Sequence, residues 1–433
     1  MYNNNKNTMD KAVKTKEDHL ASNGSAFVLT AAAIAGVTLC ILVAMSPSYL
    51  IYDERIHIQG ARLLLKGVGI IEMVRTPLPS PTGPIYPILH ALFGPLTGLT
   101  APAIRFANLG MLALAFLALV YVFARSSENQ PFARASMMLA LPGVWVGGGM
   151  ALTQIPALAM ATVSCAFVAH SIFKKEQNDS LYSDLAAFFF AGIFAGFAVL
   201  ARQTYLLMFV MFVLCFAIEK RLRLPAIIGL LVAVSLVFPL FWLWGGLVPR
   251  NYTLLGSTLL DSGISISPIH GWMGLSYLAI YVALVAPGFY RSSWRWASLL
   301  GVASLAANFM FVEFKVQPFR SVFAYLGPAE AHYLSVTSGA IIIAAGVVFL
   351  YSLLHSMWER RSEPIFLGVS LLTLVLIATT FGIGHFSSRY VLVAFPFAII
   401  MVQPYFVPSK WGALRLLAGS SLGIFSLTSY FWP

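Results

Sequence analysis

The chain has 433 residues, 59% of them hydrophobic and only 10% charged, with a mean hydropathy of +0.82. A water-soluble domain carries about 25% charged residues, which excludes water as the solvent for most of this surface. The formal charge of +11 would suggest nucleic acid in a soluble protein; here membrane topology accounts for most of it, and no nucleic-acid partner is expected.

In chain order, residues 1–25 are polar and lack the n-region, h-region and cleavage-site order of a signal peptide. They read as a disordered cytoplasmic tail, followed by one transmembrane domain over 26–433. Apolar runs then recur, each long enough to cross ~30 Å of hydrocarbon. Backbone groups in lipid must be paired internally, so these runs are helices. Predicted spans cover 26–48, 103–124, 135–151, 156–173, 185–201, 204–219, 224–248, 271–290, 297–313, 336–354, 364–383, 390–408 and 412–431. With the N-terminus inside, the tail and the even connections hold 17 of the 27 basic residues. The reverse orientation would leave only ten inside, so the positive-inside rule predicts a cytoplasmic N-terminus. The cysteines, Cys40, Cys165 and Cys215, lie inside apolar runs and read as packing residues.

The outward connections keep basic residues against that rule, among them Arg75, Arg202, Arg320 and Arg389. Asp53, Glu54, His57 and His385 fall on the same predicted side. The first loop, 49–102, is the most concentrated. Arg55, Gln59, Arg62 and Lys66 are spaced for one helical face, away from Ile56, Leu63 and Leu64. That pattern predicts an amphipathic helix lying in the membrane interface. The segment from about Pro84 to Leu96 is too short and too proline-rich to span, and reads as an interfacial helix or re-entrant cap. Asp53 precedes the amphipathic helix, where its carboxylate suits two roles: an N-cap or a general base at the membrane surface. Further on, Gly147, Gly148 and Gly149 read as a flexible outer turn, and 314–335, marked by Gly327 and Pro328, as a lid.

Tyr52-Asp53-Glu54 after a first span resembles the signature of GT-C superfamily glycosyltransferases. Other elements follow in the family's order: Pro84-Ile85-Tyr86 with Leu89, Arg105 with Asn108, Gly196 to Thr204, and Ser388 to Pro396. The scaffold is similar to that of protein mannosyltransferases and aminoarabinose transferases. The first loop is also similar to dolichyl-phosphate-glucose glucosyltransferases, which leans the reading toward a hexose donor. One position departs from the pattern: Gln154 stands where many relatives carry a second acid, leaving Asp53 as the base candidate.

The resemblance implies an all-α integral membrane protein, a GT-C-like bundle of about 13 transmembrane helices with interfacial helices in its first extracytoplasmic loop. It implies a polyprenyl-phosphate-linked sugar as donor, a glycan, glycolipid or protein acceptor, and no cofactor. The external histidines show no metal-ligand spacing, so no metal is expected. A bacterial inner or plasma membrane is the favoured location, with the active site on the extracytoplasmic face.

Transfer from such a donor expels a phosphate, so it needs a base for the acceptor and cations for the leaving group. Arginine binds phosphate through two N–H groups and keeps its charge. The expected catalytic pair is Asp53 and Glu54, and the expected phosphate ligands are Arg389, Arg202, Arg320 and Arg75. His57, Tyr86, Gln154, Gln203, Tyr390 and His385 are placed around the sugar and acceptor. A lipid-linked-saccharide transporter is the alternative class, although no clear internal repeat is present.

Overall fold

The computed structural model describes residues 3–76, 83–126, 129–173, 181–247, 267–312, 314–315, 325–382 and 388–432. Among these every regular element is a helix and none is a strand, as a backbone surrounded by lipid requires.

Among the described residues, eight helices are long and apolar enough to cross a membrane. They are the apolar part of α1 (Asn3–Ala44), then α6 (Ala103–Arg125), α9 (Gln154–Ile172), α10 (Leu181–Ala201), α12 (Arg223–Trp244) with the turn before it, α13 (Pro268–Val285), α15 (Pro328–Glu359) and α16 (Pro364–Ala378) with the turn after it. The chain is therefore a multi-pass membrane protein. The other predicted spans differ in construction. Residues 135–151 are built from α7 (Pro131–Ala135), a 3-10 turn and α8 (Pro142–Gly149). Residues 204–219 combine a 3-10 stretch, Gln203–Phe209, with α11 (Val210–Ile218); 297–313 join α14 (Trp294–Ala307) to a π turn. Residues 390–408 hold a 3-10 stretch and α17 (Phe395–Val402), and α18 (Lys410–Phe431) closes the chain. Proline at the first helical turn of α7, α8 and α17 restarts the helix, since its fixed φ suits that position.

Long-range contacts sort the connections onto two faces. On one face Arg389 meets Asp53, Arg202 meets Thr153, and Tyr52 meets Tyr430. On the other, Arg134 donates to the Gln403 carbonyl, Arg221 to the Ser171 carbonyl, and Arg360 reaches Tyr405.

At three places the structure adds to the sequence reading. The tail is helical from Asn3 and runs unbroken into α1, because extending an existing helix needs no new nucleus. The triple glycine is the end of α8, not a loose turn. An added Cβ would meet Ile155 and Leu392 at Gly147, Leu112 at Gly148 and Leu427 at Gly149, so the glycines permit close helix packing. Of the expected lid, residues from Pro328 onward form the first turns of the 32-residue α15.

The first loop has its own architecture. It contains α2 (Glu54–Leu65), α3 (Ile70–Arg75), α4 (Ile85–Leu92) and α5 (Gly94–Thr97). Arg55, Gln59, Arg62 and Lys66 are exposed along α2, while Ile58 and Ala61 are buried with Leu99, Ile104 and Ala151 in a small core beneath the loop. Gly60 lets α2 approach Pro87 of α4, where a Cβ would come within 2.8 Å of the proline ring. Gly83 brings the start of α4 against the Leu200 carbonyl, 2.1 Å from where a Cβ would stand. The loop is thus packed onto the ends of α6, α9 and α10.

Candidate active site

Two adjacent carboxylates leave the first turn of α2 in different directions. Tyr52, just before them, has φ +43°, in the left-handed region that costs a side-chain-bearing residue roughly 1–2 kcal/mol. Such strain concentrates where a function fixes the backbone. The Tyr52 ring stacks edge-on against Tyr430, centroids 5.4 Å apart.

Glu54 points inward and is fully buried. Its Oε1 accepts from Arg105 Nε at 2.9 Å and from the Ala151 N–H at 2.8 Å; its Oε2 accepts from Arg105 Nη2 and the Ile51 N–H. Arg105, equally buried, donates further to Ser46 Oγ and to the carbonyls of Pro47 and Tyr49. Its guanidinium lies 4.9 Å from the Phe431 ring centre. Every strong bond of this pair is internal, which is what two charges away from water require. Three residues on, Asn108 Nδ2 donates to the carbonyls of Gly147 and Met150 at 2.8 and 2.7 Å. The Arg105-to-Asn108 element is therefore a brace: it fastens the first loop and the α8–α9 turn to the head of α6.

Asp53 points the other way. Its carboxylate makes no capping bond to α2. Instead it meets Arg389 Nη1 at 2.6 Å, with both side chains partly exposed. Of the two roles open to Asp53, the N-cap bond is not made. Arg389 Nε is buried and has no partner, leaving one donor free. Arg389 and Arg202 both approach the Tyr390 ring, 5.6 and 5.1 Å from its centre. Arg202 Nη1 also reaches Thr153 Oγ1 at 3.4 Å. Burial pulls the Arg202 guanidinium below its usual pKa, against the opposing influence of Tyr390 and Asp53. That cation is under-compensated by the protein, and an anion would supply what is missing.

Beneath this group lie His57, Tyr86 and His90. Tyr86 is fully buried and donates its hydroxyl to the Ala151 carbonyl, so Glu54 and Tyr86 hold the two ends of neighbouring peptide groups at one residue. The Tyr86 ring is 5.6 Å from His57 and 4.3 Å from His90, centre to centre. Burial pushes the pKa of both imidazoles down to about 4. For His57, Asp53 opposes the shift while Arg202 and Arg389 add to it. Both rings are therefore neutral near pH 7. His90 Nδ1, Gln154 Oε1, Thr204 Oγ1 and the Tyr205 hydroxyl are buried without a partner. Buried polar atoms left without a partner are what a polar ligand would satisfy.

The structure thus brings together Asp53, Arg389, Tyr390, Arg202, His57 and Tyr86, with Gln154 buried beside Thr153. Glu54 belongs to the brace. Arg75 is exposed at the end of α3, and Gln203 is half-buried beside Arg202. Arg320 and His385 lie outside the described residues. Sequence reading did not single out Thr153 and His90 as site residues, nor the structural role of Arg105. His90 had a usable signal, since it follows Tyr86 by four residues and so shares its helical face.

The sequence matches no protein-family model and no curated protein. Among solved structures the chain is similar to ArnT from Cupriavidus metallidurans. The crystal structure bound to undecaprenyl phosphate aligns at 15% identity and a TM-score of 0.45, covering 93% of this chain and 77% of that one. The apo structure of the same protein gives 15% identity and 0.42, covering 90% and 77%. An oligosaccharyltransferase from Archaeoglobus fulgidus, solved with a tethered acceptor peptide, aligns at 13% identity and 0.38, covering 91% of this chain and 55% of that one.

Proposed function

We propose that this chain is a membrane glycosyltransferase that moves a sugar from a polyprenyl-phosphate donor to an acceptor hydroxyl. One observation carries the reading: a partly exposed carboxylate, Asp53, sits against one guanidinium and beside a second, at the rim of a membrane-embedded bundle. The group has one carboxylate for two guanidiniums, so it suits an anionic phosphate reaching it from the lipid. No nucleotide-binding loop is apparent in the sequence, which supports a donor that arrives through the membrane.

In this reading the acceptor oxygen attacks the anomeric carbon while Asp53 takes the hydroxyl proton. The bond from that carbon to the phosphate oxygen breaks, and its electron pair leaves with the phosphate, held by Arg389 and Arg202. Attack from the side opposite the leaving group, with a single base, inverts the anomeric centre. Before the donor arrives, Arg389 is held by Asp53; a phosphate that takes over the guanidinium releases the carboxylate for its proton. Arrival of the donor would therefore switch on the base. Neutral His57, with Gln154 and Tyr390, suits the hydroxyls of the sugar and acceptor. Glu54 is a positioning residue that sets the start of α2. The first-loop resemblance favours a hexose, and the predicted topology places the reaction on the extracytoplasmic face.

Two measurements test this. Glycolipid profiles of cells with and without the protein should differ by one lipid-linked or transferred sugar. Asp53→Asn should yield folded protein that binds donor but transfers at least about a hundredfold more slowly. Identical profiles, or wild-type transfer by Asp53→Asn, would overturn the proposal.

A further inference from the structure

The segment leading into α9 is fastened residue by residue, up to one side chain. Asn108 Nδ2 donates to the Met150 carbonyl, and Glu54 and Tyr86 hold the N–H and the carbonyl of Ala151. Gln154, the first residue of α9, is only 4% exposed, and its Oε1 has no partner among the described residues. Its neighbours in the chain lead to both guanidiniums of the site. Thr153 meets Arg202, and Ile155 lies with Leu392 against Gly147, on the 3-10 stretch that carries Arg389.

This position favours a carboxylate. A helix N-terminus stabilises negative charge, and Arg202 is an under-compensated cation one residue away. The chain nevertheless carries an uncharged amide there, and the charge that results can be counted. Asp53 supplies one carboxylate, while Arg389 and Arg202 supply two guanidiniums. His57 and His90 are neutral near pH 7, and Glu54 is closed off by its four N–H donors. The outward stretches outside the described residues carry Arg250, Asp261, Glu313 and Arg320, two charges of each sign. One positive charge is therefore in excess. A sugar joined to a prenyl group through a phosphodiester brings one negative charge, which neutralises the site before the ring is considered. An ammonium on that ring would stand uncompensated beside Arg202, a costly state away from water. If it paired with Asp53 instead, it would take the base out of the reaction.

We propose that Gln154 is a specificity-determining residue, an inference that rests on the transferase reading: its uncharged amide sets the site to accept an uncharged sugar and to reject an amino sugar. Its Oε1 accepts from a ring hydroxyl. A glutamate in its place would give an ammonium the partner it lacks.

Binding of three farnesyl-phosphate glycosides to the full chain in lipid nanodiscs tests it. One carries a hexose, one the same hexose with a ring hydroxyl replaced by an amine, and one the same hexose oxidised to a uronic acid. The wild type should bind the plain hexose at least about tenfold more tightly than either charged sugar. Gln154→Glu should lower the preference for hexose over amino sugar by about tenfold or more. Thr153→Asp sets the same charge one residue earlier, where helix starts favour aspartate. It should move the preference the same way, and it keeps the test open if Gln154→Glu fails to fold. Equal or tighter binding of a charged sugar by the wild type, or a preference that neither variant moves, would overturn this inference and leave the transferase reading standing. Binding of none of the three would overturn that reading, and this inference with it.

Discussion

Asp53 and Glu54 carry the same functional group on adjacent residues, and each meets an arginine, yet the two ion pairs belong to different kinds of structure. The Glu54–Arg105 pair is fully buried and bonded on every side by backbone and side chains. The Asp53–Arg389 pair is partly exposed, has no backbone support at the carboxylate and leaves Arg389 Nε without a partner. A saturated buried pair can only hold the fold, because any exchange of partners strands a charge in low dielectric. An unsaturated pair at an opening can trade one partner for a ligand. Burial and partner count, not residue type, separate architecture from chemistry here.

The largest expected effect breaks the buried pair. Glu54→Gln puts an amide donor where four N–H groups already converge, and should cost about 3–5 kcal/mol of stability, seen as poor yield and a lowered Tm in detergent. Asp53→Asn should reverse that pattern: Tm within a few degrees of wild type, and transfer reduced by about 10²–10⁴-fold. Equal loss of stability in both variants would erase the distinction. Arg389→Ala should weaken donor binding by roughly 10–100-fold, the worth of one charged hydrogen bond, measured by titration with a prenyl phosphate. Acid should also tell the regions apart. The pKa of His90 is about 4 in the folded protein and 6.5 in its ordinary state, so the unfolded chain takes the proton first. Stability should therefore fall as pH drops from about 6.5 through about 4, and be indifferent to this group above that range. His90→Gln should flatten that limb of a Tm-versus-pH curve. The smallest effect is at the strained residue: Tyr52→Gly removes the cost of positive φ and should change stability by no more than about 1 kcal/mol, while transfer drops as Asp53 loses its fixed direction.

The bilayer makes much of this fold legible. Long unbroken runs such as those of α6, α9 and α12 have no other stable form in lipid, and the exposed face of α2 follows from the spacing of four polar residues. Legibility fails where a span is assembled from pieces, as at Gln203–Phe209, because apolar composition does not distinguish a 3-10 stretch from an α-helix. It fails for Glu54 for another reason. Its partner lies 51 residues away, and the sequence gives two neighbouring acids no sign of which one turns inward. Arg389, Arg202 and Tyr390 were readable as charged or aromatic groups at the ends of apolar runs, where such groups are costly to keep. Their convergence on Asp53 was not, since it depends on how three separate helix ends meet. The triple glycine misled because glycine serves close packing and free turns equally well.

The double attachment at Ala151, which receives Glu54 on its N–H and Tyr86 on its carbonyl, sets an order for biogenesis. A nascent chain can make the Glu54–Arg105 pair once α6 has entered the membrane, but the loop stays unfastened until the turn after α8 emerges on the same side. Chains arrested before that turn should expose the first loop to protease, and chains arrested beyond α9 should shield it. The first loop is thus locked by a residue made 97 positions after Glu54.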